Sequence, residues 1–261
     1  MNILEYNRNA WNLQSQEGCR WSTPYPDEVF EQAKAGAWSV ILTPNREVPT
    51  GWFPSYPDLR GVRILALASG GGQQVPIFAA AGAEVTSYDA SDVQLEKDEE
   101  TCARHGLKIR TRQGDMADLS GLGDESFDLI FNPVSNVFAG DLEPIWKESH
   151  RVLKPGGSLL CGFMNPAFFL FDHEVLEETG ELVVKYRLPY SDLEHADAEL
   201  LSNQLDAQLS VEYSHSWESQ IGGQCDAGFA ITGFYEDDWD EESTRLQGWM
   251  PMFAATRAVK L

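Results

Sequence analysis

The chain has 261 residues, 43% of them hydrophobic and 23% charged, with a formal net charge of -22. This composition is globular and suits one large domain, or one domain with an elaborated cap. The acidic balance repels phosphate backbones, Lys and Arg form no basic patch, and no apolar run reaches a membrane span, so the expectation is no nucleic-acid partner and no membrane partner.

Residues 1–60 are rich in Trp, Pro and Asn and read as an N-terminal cap segment. Within "EYNRNAWNLQ", helical spacing brings Tyr6, Ala10 and Leu13/Gln14 near one face, with Asn7 and Trp11 beside them. Trp11, Trp21, Trp38 and Trp52 all precede the first strand and read as packing for a pair of cap helices. "VRILALA" (62–68) is a near-continuous apolar run, as in a strand covered on both faces. Three glycines, Gly70 to Gly72, then lead into a helix over 73–82, with Pro76 in its first turn and Gly82 as its stop.

The alternation continues. "EVTSYD" (84–89) predicts a second strand, and 91–106 predicts a helix capped by Ser91 and closed by Gly106. "LKIRTRQ" (107–113) and "FDLIFNP" (127–133) predict the third and fourth strands. A helix over 142–153 and a "PGG" turn lead to the fifth, "SLLCGFM" (158–164). Strand–helix pairs of this length predict an α/β fold with a parallel sheet and right-handed crossovers. "AGFAITGFYED" (227–237) and "MFAATRAVK" (252–260) predict a final antiparallel hairpin around a solvated acidic loop, "EDDWDEEST". Between strand five and this hairpin, "ELVVKYRLPY" and "LSVEYSHSW" predict an inserted β-ribbon within 181–215. The expected organisation is effectively one domain, with the 1–60 cap preceding 61–261.

Three features stand after successive strands. The glycines end strand one, where backbone without side chains admits a ligand. Asp89 ends strand two, about 19 residues beyond Gly70, where a carboxylate can accept from ribose hydroxyls. Asp115, in "QGDMAD" after strand three, is placed to accept from an adenine amino group, with Met116 packing on the ring. Val75 breaks the dinucleotide fingerprint, and no Gly-Lys-Ser/Thr exists for a phosphate loop. The expected ligand has an adenosine but no pyrophosphate.

From "VRILALASGGG" through "VTSYDAS", "QGDMADL" and "FDLIFNPVSN" to "HRVLKPGGSLL", the sequence resembles the class I S-adenosylmethionine-dependent methyltransferases, in particular the group of ubiquinone/menaquinone-biosynthesis-like enzymes. The resemblance implies a Rossmann-like seven-stranded sheet, mostly parallel with an antiparallel last strand and helices on both faces. It implies S-adenosylmethionine as cofactor, with the glycine loop at the methionyl end, Asp89 at the ribose and Asp115-Met116 at the adenine. The expected cofactor residues are Ala68, Ser69, Gly70, Gly71, Gly72 and Gln73, then Asp89, Ala90 and Gln94, then Asp115, Met116 and Asn132. Two positions depart from the family: Ala66 stands where an acidic residue is common, and Ala68 where glycine is usual. Gln73, Asn132 or an N-terminal residue are the expected substitutes for the missing carboxylate.

The implied activity is methyl transfer to a small molecule, which needs alignment and exclusion of water rather than a protein nucleophile. The alternative is a cofactor-binding or regulatory protein of the same fold. "NPVSN" lacks the aromatic of the Asn-Pro-Pro-aromatic motif of nucleic-acid amino methyltransferases. Expected substrate contacts are Tyr6, Trp11, Asn136 and Asn165, with Tyr6 or Trp11 over the sulfonium as a cation–π partner. His173 is the best placed of five histidines to act as a base. No paired-His spacing supports a metal, and Cys19, Cys102, Cys161 and Cys225 form no CxxC, which fits a reduced cytoplasm.

Overall fold

The computed structural model describes residues 1–239 and 243–261. Part of the expected acidic loop, residues 240–242, lies outside them. Among the described residues the strands β1 (Arg63–Leu67), β2 (Glu84–Asp89), β3 (Arg110–Gln113), β4 (Phe127–Asn132), β5 (Leu153–Met164), β6 (Phe229–Asp237) and β7 (Phe253–Lys260) form one sheet. Its order is β3-β2-β1-β4-β5-β7-β6. The first five strands pair in parallel, and β7 runs antiparallel to both β5 and β6.

The apolar runs explain the centre of the sheet. Ile64, Leu65, Ala66 and Leu67 of β1 are all buried, two on each face by the alternation of the strand. One face packs Ile64 and Ala66 with Phe78, Phe131 and Leu160; the other packs Leu65 and Leu67 with Ile130, Trp146 and Phe163. The edge strand β3, with its charged RTRQ sequence, is exposed and shorter than expected. The "PGG" segment is not a turn before β5. It lies inside that strand, where the register with β4 shifts between Phe127 and Leu129.

The helices that position the site are α1 (Ile3–Gln16), α2 (Asp27–Lys34), α3 (Gln74–Ala80), α4 (Asp92–Arg104) and α5 (Glu143–Val152). Ser91 caps α4, its hydroxyl accepting from the Gln94 N–H at 3.0 Å. The expected cap over 1–60 divides in two. Trp38, Val40, Leu42, Phe53 and Leu59 belong to the core on one sheet face. There Leu42 runs so close to β5 that a Cβ on Gly162 would lie 2.2 Å from its carbonyl oxygen. The earlier part, with α1 and residues 20–24, covers the ends of the strands, where Ile41 to Pro44 of the later part also line the cavity.

The expected ribbon is not a ribbon. After α6 (His173–Thr179), residues 181–215 hold the short helices α7 (Asp192–His195) and α8 (Ala198–Asp206), and α9 (Gly223–Asp226) precedes β6. Among the described residues one bridge forms here, Ser191 to Tyr213, with Ser191 just beyond the first expected strand, and the Ser214 N–H reaches the Tyr190 carbonyl. The reason lies in the partners each segment finds. Leu182 and Tyr186 turn into a cluster with Met164, Phe169 and Leu246, while Val211 is bonded on both its N–H and its C=O by the Asn7 side chain. A side-chain amide supplies there what a neighbouring strand would have supplied.

Candidate functional site

Strand order reverses between β1 and β4, and the carboxyl ends of the strands there open into a cavity of about 570 Å³. Its floor comes from Ala68, Ser69 and Gly70 after β1, Asp89 and Ala90 after β2, Gly114 to Ala117 after β3, and Pro133 to Ser135 after β4. Its roof comes from α1, with Asn7, Arg8 and Trp11, from Trp21 and Trp239, and from Ser210, Glu212 and Tyr213. The volume lies within the range of small-molecule sites.

The loop after β1 is held amide by amide. The Gly70 N–H donates to Asp89 Oδ2 at 3.1 Å, Gly71 N–H to the Gln94 carbonyl at 3.1 Å, and Gly72 N–H to Asp98 Oδ1 at 2.7 Å. A Cβ on Gly70 would lie 2.7 Å from the Gln94 Cβ; on Gly71, 2.9 Å from the Trp21 carbonyl oxygen; on Gly72, 2.9 Å from Pro24 Cγ. Gly71 and Gly72 also take φ of +120° and +81°. Only Gly70 of the three borders the cavity. Gly71 and Gly72 are glycines because α4 and residues 21–24 press on the loop, which corrects their expected place at the ligand.

Asp89 uses both oxygens, Oδ2 for Gly70 and Oδ1 for the Ser91 N–H at 2.9 Å. Burial pushes its pKa up, against the pull of these backbone bonds. Asp115 Oδ1 accepts the Ala117 N–H at 2.9 Å and Met116 lies half-buried beside it in the wall. Gln94 and Ala90 also line the cavity. Trp11 stands edge-on to Phe138, ring centres 5.2 Å apart, both in the wall. The roof is latched to the floor: Ser91 Oγ donates to Asn12 Oδ1 at 2.6 Å, Asn12 Nδ2 to Asp92 at 2.7 Å, and Lys97 reaches the Ser22 carbonyl at 2.6 Å.

Several expected site residues are committed elsewhere. Gln73 reaches the wall, but its Nε2 donates to the carbonyls of Arg20 and Thr23 at 2.7 and 2.8 Å, tying the roof down. Asn132 is buried under the floor, donating to the Leu67 carbonyl and to Ser135 Oγ. Asn136 is buried against Gln220, and Asn165 caps a 3₁₀ turn while donating to the Pro251 carbonyl. Tyr6 donates its hydroxyl to the Leu209 carbonyl on the outside of the roof. His173, first residue of α6, lies tilted against the Phe168 ring and has Nε2 2.9 Å from the Phe168 carbonyl oxygen; burial lowers its pKa. None of these five lines the cavity, so the expected base at His173 and three of the four expected substrate contacts are displaced from it. Of that group, Trp11 alone is in the wall.

Ala66 is fully buried in the core and reaches no part of the cavity. Ala68 keeps φ at +47°, the glycine-favouring region, with its N–H on the Tyr88 carbonyl at 2.7 Å. A left-handed alanine costs roughly 1–2 kcal/mol, partly offset by glycine's greater unfolded-state freedom. Ala68→Gly is therefore expected to stabilise the protein by about 0.5–1 kcal/mol, read as a melting point higher by about 1–3 °C. A lower melting point would show that the alanine methyl packs favourably enough to outweigh its backbone.

Two functional positions escaped the sequence reading. Asp98 lies on the buried face of α4 with Leu95, Thr101 and Cys102, a carboxylate in an otherwise core-facing stripe, and that mismatch was legible. Asn7, which fixes the roof, carries no comparable signal. Among the described residues, no group of three His, Cys, Asp or Glu is placed to hold a metal, and no helix is long and apolar enough to cross a membrane.

The residues present suit an adenosyl ligand with an amino-acid tail. Among the described residues Ser69 Oγ and Gln94 Oε1 are buried at the wall with no partner, and each Asp89 oxygen keeps a lone pair after accepting one N–H. Comparison with known proteins agrees. The family described as Methyltransferase domain matches residues 65–161. An uncharacterised methyltransferase of Bacillus subtilis (strain 168), YbaJ, is 45% identical over 259 residues, covering 99% of each chain. A ubiquinone biosynthesis O-methyltransferase of Maricaulis maris is 29% identical over 105 residues, 40% of this chain and 41% of that one. The S-adenosylmethionine-dependent methyltransferase of Mesorhizobium loti shares the fold at a TM-score of 0.59 and 18% identity, over 80% of this chain and 94% of that chain.

Proposed function

The chain belongs to the class I S-adenosylmethionine-dependent methyltransferases, and from that premise we propose that its acceptor is a small molecule taken into the cavity between the sheet and the N-terminal roof. The observation that carries this reading is the roof itself. α1 and residues 210–213 close over the ends of β1 and β4, latched by Asn7 and Asn12. A folded macromolecule would need an open face there, and the charge of -22 opposes a nucleic acid.

S-adenosylmethionine, when bound, supplies a methyl group activated on a positively charged sulfur. In this reading Asp89 receives the ribose hydroxyls on its remaining lone pairs. Asp115 and Met116 serve the adenine, with Ala90 and Gln94 completing that end. Ala68, Ser69 and Gly70 meet the methionyl end, and Ser69 Oγ and Gln94 Oε1 gain the partners they lack. Gly71, Gly72, Gln73 and Asn132 act at one remove by fixing the loop and the roof. Trp11 and Phe138 exclude water from the reacting groups.

The test separates acceptor classes. Purified protein with labelled S-adenosylmethionine is offered the dialysable and the retained fractions of a cell extract, and S-adenosylhomocysteine is measured. Product with the dialysable fraction is expected. Product with the retained fraction alone would overturn the small-molecule reading.

A further inference from the structure

Val211, Glu212 and Tyr213 are three consecutive residues held by three distant parts of the chain. Val211 N–H donates to Asn7 Oδ1 at 2.8 Å, and its carbonyl accepts from Asn7 Nδ2 at 3.0 Å. Glu212 N–H donates to Asp192 Oδ2 at 2.7 Å, and Tyr213 N–H to the Val137 carbonyl at 2.7 Å. The backbone of Glu212 is thereby fixed while the residue forms part of the cavity wall. Among the described residues its carboxylate accepts no hydrogen bond and has no cation within ion-pair distance.

Glu212 is partly buried, and a carboxylate partly withdrawn from water without a partner carries a cost. Burial and the nearby Asp192 charge push the Glu212 carboxyl up to about 7. The charged groups around it do not relieve the cost. Asp192 is bonded by Tyr190, the other acids of the wall are Asp141, Asp89 and Asp115, and Arg8, the basic side chain of the described wall, lies 3.8 Å from Glu5. Tyr213 adds only a neutral hydroxyl. The rest of this end is apolar, with Trp11, Val134 and Phe138. A carboxylate or phosphate acceptor would add to the negative charge, and a neutral hydroxyl would leave it unbalanced. An ammonium group would balance it.

Resting on the methyl-transfer reading above, we infer that Glu212 binds the protonated nitrogen of the acceptor and takes up its proton, which makes the acceptor a primary or secondary amine on an apolar body. The ammonium N–H bond breaks, its electron pair stays on nitrogen and the proton goes to the Glu212 carboxylate. That pair then forms the nitrogen–carbon bond as the carbon–sulfur bond breaks, and the electrons of the broken bond remain on sulfur. The product leaves as a methylated ammonium and Glu212 returns its proton to water. The sulfonium charge opposes a second cation beside it, which favours the proton's passage to Glu212.

The test uses the full chain loaded with S-adenosylhomocysteine, which calorimetry must first show to bind. Benzylamine, phenethylamine and tryptamine are each compared with their matched alcohols, followed by quenching of tryptophan fluorescence, since Trp11, Trp21 and Trp239 line the cavity. At least one amine is expected to bind at least about tenfold more tightly than its alcohol, the size of one charge-assisted hydrogen bond. In Glu212→Gln that preference is expected to fall within about threefold, with S-adenosylhomocysteine affinity retained. With S-adenosylmethionine in place of the product, the preferred amine is expected to be methylated by the wild type, and kcat in Glu212→Gln to fall more than KM alone explains. Amines that bind no better than alcohols to the loaded wild-type protein, or a preference surviving in Glu212→Gln, overturn the inference and leave the methyl-transfer reading standing. Failure to bind S-adenosylhomocysteine removes both.

Discussion

Asp89→Ala is expected to weaken S-adenosylhomocysteine binding by about 1.5–3 kcal/mol, roughly ten- to more than a hundredfold in Kd. Two effects contribute. The carboxylate is the proposed acceptor for both ribose hydroxyls, and it also receives the N–H groups of Gly70 and Ser91, at 3.1 and 2.9 Å. Its loss removes a ligand contact and loosens the first amide of the glycine loop. Asp89→Asn keeps one acceptor oxygen but turns an NH2 toward the other backbone N–H, so one of the two loop bonds and part of the ribose contact are lost, giving an intermediate Kd. Calorimetric titration checks this, and equal affinity in wild type and Asp89→Ala would remove the ribose assignment.

Asp98 is expected to give the larger effect on stability, and its sign depends on pH. The side chain is fully buried and accepts from the Gly72 N–H and the Ser87 hydroxyl, both at 2.7 Å. Desolvation raises its pKa from 3.8 to about 7, against the pull of those two bonds, with the Asp89 charge adding to the rise. The folded protein therefore holds a proton on Asp98 that the unfolded chain has released between pH 4 and 7. The contribution of this group to stability falls as pH rises through that window, by on the order of 4 kcal/mol in all, and is level above it. Asp98→Asn has a similar shape and no charge. Urea unfolding at pH 5 and pH 8 should show the variant gaining on the wild type at the higher pH by about 2.5 kcal/mol. A difference independent of pH would mean that Asp98 stays ionised in the folded state. Asp98→Ala, by contrast, leaves a buried N–H and hydroxyl unpaired, so loosening of Gly72 is expected at either pH, at about 1–3 kcal/mol for each group.

Much of the fold was legible because it depends on local pattern. β1, β4 and the second half of β5 are largely apolar runs, Ser91 caps α4, and Gly82 and Gly106 take positive φ where their helices stop. Asp89 and Asp115 come to the cavity because each directly follows a strand of one parallel sheet, so strand polarity alone brings them to the same edge. The asparagines were not legible in the same way. Asn7, Asn132, Asn136 and Asn165 each carry a donor and an acceptor, and each is engaged by main chain or side chain far away in sequence. The expected pocket roles of Asn136 and Asn165 failed on that ground.

The sequence by itself determined the sheet, its polarity and the edge where an adenosyl ligand belongs, because burial and turn chemistry act between near neighbours. Tertiary structure alone decided that Gly71 and Gly72 serve the roof rather than the ligand, that 181–215 folds as helices and bridges, and that Glu212 reaches the cavity without a partner among the described residues. Each of those outcomes depends on which distant segment occupies a given space. Close packing and the pairing of buried polar groups settle that, and neither is written in local spacing.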